Sequence, residues 1–88
     1  MKKVIKIVEV NDEGLEGLLG QKVTLLCMNY FYTGILAGVN GTCVKLEEAS
    51  IIYETDSWTT KKYKDIQKLP SDIYVQTAAI EAFGVLKG

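Results

Sequence analysis

Between residues 21 and 49 the sequence runs QKVTLLCMNYFYTGILAGVNGTCVKLEEA, and its side chains alternate. Val23, Leu25 and Cys27 are interleaved with Lys22, Thr24 and Leu26. A period of two belongs to a half-buried strand, because successive side chains of an extended backbone point to opposite faces. Tyr32, Gly34, Leu36 and Gly38 are interleaved in the same way with Thr33, Ile35 and Ala37, and Val44 and Leu46 begin a third run. Val39-Asn40-Gly41-Thr42 separates the second run from the third. Asn-Gly suits a two-residue type I′ turn, whose central positions both need φ > 0. Three antiparallel strands in a meander result, which the rest of the chain must complete or cover.

The flanking segments supply the remaining elements. Residues 3–10 (KVIKIVEV) are β-branched and partly alternating, so 1–11 reads as an extended arm or an extra N-terminal strand. Asn11, Asp12 and Glu13 carry helix-cap chemistry, Leu15, Leu18 and Leu19 share one helical face, and Gly20 suits the C′ position. A short helix is expected over 12–20, weakened by Gly14 and Gly17 at roughly 1 kcal/mol each. The third strand continues through 49–53 (ASIIY), and 54–60 is polar and turn-rich apart from Trp58. Residues 61–68 (KKYKDIQK) fit a helical turn or an irregular strand equally well. Pro70 closes that loop, because proline lacks the donor a central strand needs. Residues 73–76 (IYVQ) and 80–83 (IEAF) read as a fourth and a fifth strand, joined by Thr77-Ala78-Ala79, with 84–88 a tail.

Eighty-eight residues make one domain, and 48% of them are hydrophobic. One small barrel cannot hide that much apolar surface, so part of it is expected to be buried against another copy of the chain. A net charge of −1 excludes nucleic-acid binding by bulk charge and leaves a local patch or a ring of repeated sites. Cys27 and Cys43 fall at apolar strand positions and read as buried free thiols, not a disulfide framework. Lys6 and Glu9 interrupt any apolar run after Met1-Lys2-Lys3, and no segment reaches the length of a membrane span. A soluble cytoplasmic setting is the expectation. The chain has no His, and it lacks G-x-S-x-G, Walker and Cys-x-x-Cys patterns, so neither an enzyme nor a cofactor or metal is expected.

Four stretches resemble the Sm/LSm family, which includes the bacterial Hfq-type RNA chaperones. Leu18-Leu19-Gly20-Gln21-Lys22-Val23 is similar to that family's junction between helix and first strand. Tyr32-x-Gly34-x-Leu36 resembles the core of the first Sm motif, and Leu46-x-x-Ala49 its end. Val75-Gln76-Thr77-Ala78-Ala79-Ile80 lies where the second motif would be and matches it at its apolar ends. The resemblance covers residues 15–83. It implies a mostly β, Sm-like fold: a strongly bent five-stranded antiparallel sheet forming a small open barrel over 21–83, behind the short helix. Gly34 suits the bend, which needs a position without a Cβ. The resemblance further implies a cyclic homo-oligomer of about five to seven subunits, in which strand four of one subunit pairs with strand five of the next. Ile73, Val75, Ile80 and Phe83 are the candidate interface residues, on strands that would otherwise be exposed edges.

In the family, single-stranded RNA is held at the pore by the loop between strands two and three and the loop between strands four and five. The matching positions here are Asn40 and Gly41 in the first and Gln76, Thr77 and Ala78 in the second. Two departures bear on function. The first loop is shortened and has no stacking residue, and Gln76 and Thr77 stand where the family has Arg and Gly, so the cationic fork of Arg is missing. The expectation is a ring that binds RNA through these loops, with a ring that has lost RNA binding and serves protein interaction as the alternative. A second candidate patch combines Lys61, Lys62, Tyr63 and Lys64 with Trp58: lysines for phosphate and aromatics for stacking, or else a solvated loop whose Tyr63 packs onto the barrel. Tyr30, Phe31 and Tyr32 read as a barrel cap or an interface more readily than as a stacking platform. Glu47 and Glu48 point to opposite faces and cannot act jointly.

Overall fold

A computed structural model describes residues 14–86. The expected arm over 1–11, the start of the expected helix and the end of the tail lie outside the described residues.

Six strands follow in order: β1 (Lys22–Cys27), β2 (Phe31–Val39), β3 (Cys43–Glu54), β4 (Asp65–Lys68), β5 (Ile73–Gln76) and β6 (Ile80–Gly84). All pair antiparallel. The meander forms as its alternation predicts, with β2 between β1 and β3, while β6 adds to the free side of β1. β4 and β5 lie end to end along the far side of β3, against its Ser50–Glu54 and Cys43–Leu46 stretches. The sheet is bent but not closed, and β5 and β6 do not pair with each other.

Two expectations are corrected. Among the described residues the sheet has six strands and not five, because Asp65–Lys68 is a strand. The extra strand exists because β3 runs to Glu54, and β4 pairs the far edge that this extension would leave bare. The helix expected over 12–20 is a single 3-10 turn, Glu16–Leu18. Gly14 (φ 80°) and Gly20 (φ 87°) both sit in the left-handed region and leave room for one turn between them. Leu15 and Leu18 pack onto the core, whereas Leu19 falls beyond the turn and is exposed.

The bend is made at one level in three strands. Thr33 pairs with Ser50 and Ile35 with Glu47, so Glu48 and Ala49 together oppose Gly34. Glu48 takes φ 50° to make this bulge. A Cβ on Gly34 would lie 2.9 Å from the Glu47 carbonyl oxygen and 3.2 Å from the Ala49 Cα. At the same level Pro70 interrupts β4 and β5, after a last bond from the Leu69 N–H to the Ala49 carbonyl, 2.8 Å.

The concave face holds the core: Val23, Leu25, Cys27, Leu36, Val44, Leu46, Ala49 and Val75. The opposite face carries a second packed layer. Alternation places Leu26, Phe31 and Ile52 there, and residues 55–64 fold across it. Trp58 stacks on Phe31 at 6.4 Å and 30°, and its ring meets Tyr63 edge-on at 6.4 Å. The Tyr63 hydroxyl shares a hydrogen bond with Thr24 Oγ1, and Thr33 Oγ1 donates to the Val23 carbonyl, 2.8 Å, so both buried threonines are satisfied. Among the described residues no helix is long and apolar enough to cross a membrane.

Candidate nucleic-acid interface

The turn between β2 and β3 is built by a side chain. Asn40 Oδ1 accepts from the Thr42 N–H (2.7 Å), the Cys43 N–H (2.9 Å) and the Thr42 hydroxyl (3.0 Å). The expected type I′ turn is therefore corrected: neither Asn40 nor Gly41 takes a positive φ, and three residues, not two, separate the strands. The carboxamide supplies the turn's acceptor, so the backbone has no need of the left-handed region. What Asn40 can still offer a ligand is its amide N–H pair.

The link between β5 and β6 docks on this turn. Cys43 pairs with Gln76, the Thr77 N–H donates to the Thr42 carbonyl (2.9 Å), and the Thr77 hydroxyl donates to the Gly41 carbonyl (3.3 Å). Residues 77–79 then make a second 3-10 turn into β6. Asn40, Gly41, Gln76, Thr77 and Ala78 thus come together at one end of the sheet. Thr77 is committed to holding the two loops, while Gln76 and Ala78 are exposed. No cation stands among these five residues.

Lys61, Lys62, Tyr63 and Lys64 lie at the other end of β3, so the two groups form separate surfaces. Tyr63 is half-buried by its bond to Thr24 and its contact with Trp58, which makes it an anchor for the 55–64 segment. Lys64 Nζ lies 3.4 Å from a Glu54 carboxylate oxygen, with both side chains more than half exposed, a pair of little energetic weight. The lysine side chains are exposed around this anchored segment.

Of the four strand residues expected at an interface, Val75 is in the core, Ile73 and Ile80 pack partly against it, and Phe83 is 40% exposed. The outer edges of β5 and β6 are without a strand partner among the described residues. Burial, and then the Glu81 charge, push the Cys27 thiol up, which favours its neutral form.

One residue at this end was not singled out by the motifs. Tyr74 is 66% exposed, and Lys45 Nζ lies 5.9 Å from its ring centroid. The signal was present in IYVQ: if Ile73 and Val75 face the core, Tyr74 faces out. No family model matches the chain, and no curated protein matches it.

Proposed function

We propose that this chain is an Sm-like subunit that joins copies of itself head to tail into a ring and binds single-stranded RNA through the 40–42 and 76–78 loops. The observation that carries the reading is the docking of those two loops by Thr77, which brings together the residues that the motif resemblance nominates. Assembly is supported by the open sheet. Among the described residues β5 offers one unpaired edge and β6 another, and pairing them between subunits would satisfy both. Exposed Phe83, Val85 and Leu86 accompany the β6 edge. Repetition around a ring would multiply a weak neutral site into a useful one.

The second reading, a ring that serves protein interaction and not RNA, is favoured by one observation. Asn40 Oδ1 and the N–H and hydroxyl of Thr77 are taken up by the turn. Titration of labelled oligo-U and oligo-A at low salt, followed by anisotropy, separates the two, because phosphate contacts are strongest there. Saturable binding supports the RNA reading; flat titrations with both oligomers reject it. A light-scattering mass of one chain at micromolar concentration would reject the ring itself.

A further inference from the structure

The β2–β3 turn contains no aromatic ring, but the fold supplies one beside it. Tyr74 projects from β5 on the face away from the core and is 66% exposed. Its strand pairing sets it opposite Lys45, whose ammonium lies over the ring at 5.9 Å. Tyr74 borders three hollows, and two of them reach the β2–β3 turn. One of these two is shared with Lys45, Gly38 and Asn40, and the other with Thr42, Gln76 and Thr77. Tyr74 thus lines both, with the Lys45 cation at one and the Thr42, Gln76 and Thr77 side chains at the other. Among the described residues no carboxylate lines either hollow.

We infer that Tyr74 is a base-stacking platform for single-stranded RNA, with Lys45 placed for the phosphate backbone and Gln76 for a base edge. This rests on the RNA reading and names the residue that would supply its stacking. A planar base laid on the ring face away from Lys45 enters the hollow that Gln76 borders. The Gln76 carboxamide both donates and accepts, so it suits a base edge, while the absence of carboxylates suits an anionic chain. The cation over the opposite face contributes attraction to phosphate without occupying the stacking face.

The test uses the full chain with fluorescein-labelled oligo-U and oligo-A and the same oligomers carrying abasic positions. Tyr74→Ala should weaken binding about tenfold, the loss expected of one stacked base, and Tyr74→Phe should stay within about twofold of wild type. Abasic oligomers should lose affinity for wild type but no further affinity for Tyr74→Ala. Lys45→Gln should reduce the salt slope by about one per engaged site. Wild-type binding that Tyr74→Ala leaves unchanged, or an abasic penalty of equal size in Tyr74→Ala, would place stacking elsewhere and overturn the inference alone. An absence of wild-type binding to either oligomer would overturn the RNA reading and this inference with it. Far-UV circular dichroism should be unaltered in every variant, since Tyr74 is exposed.

Discussion

Gly34 and Asn40 do different work within seven residues of each other. Gly34 lets β3 approach β2 so closely that a methyl group would press on backbone atoms unable to move aside. Gly34→Ala should lower stability by about 2 kcal/mol in urea unfolding. Gly41→Ala, where a Cβ meets nothing within 4 Å, should stay within about 0.5 kcal/mol. Asn40 acts through one oxygen. Asn40→Ala removes the acceptor for two backbone N–H groups and should cost about 1 kcal/mol, whereas Asn40→Asp keeps the acceptor and should unfold near wild type. Cys27 gives the sheet a pH dependence. Its folded thiol titrates above the unfolded one, so its contribution is intact below the ordinary value of 9.0 and lost as pH rises through the folded pKa. Urea midpoints should therefore fall above about pH 9, and fall less steeply in Cys27→Ala, which is weaker at pH 7 because it leaves a cavity.

At the scale of elements, the segment 55–64 acts as a strap over the outer face. It has no regular structure of its own, and it is held by Trp58 against Phe31 and by Tyr63 against Thr24. Tyr63→Phe leaves the Thr24 hydroxyl buried without this partner and should cost about 1–2 kcal/mol. Replacing Thr24 by Val in the same chain removes the stranded group. The double variant should recover much of that loss, and hydrogen exchange along 55–64 should follow the same order. β4 and β5 are one broken strand along β3. The break falls at Pro70, level with the bulge at Glu48, so neighbouring strands turn the same corner together.

At the scale of the molecule, the described sheet ends in two unlike edges, β4 and β5 with a buried Val75 on one side, and β6 with exposed Phe83, followed by exposed Val85 and Leu86, on the other. If subunits join edge to edge, a charge on the β6 edge should separate them without unfolding them. Phe83→Lys is expected to shift the light-scattering mass toward the 9.8 kDa of one chain, with the strand signal in circular dichroism retained. A variant that keeps the wild-type mass above one chain would put the contact on another surface.

Features that depend on near neighbours were readable in the sequence alone. The alternation of β1, β2 and the start of β3 is written in adjacent residues, and so are the left-handed Gly20, the inward Leu15 and Leu18, the glycine at the bend and the break at Pro70. The same periodicity in IYVQ already turned Tyr74 outward. What needed the tertiary structure were meetings between distant residues. Thr77 reaches Gly41 across 36 positions and Tyr63 reaches Thr24 across 39. KKYKDIQK has no decisive period, and its second half became a strand because the extended β3 offered it an edge. The Asn40 turn took its form from a side-chain oxygen that outcompeted the backbone preference of Asn-Gly. Local sequence restricts each residue's dihedral angles, whereas long-range contacts form only where the folded chain has already brought their partners within reach.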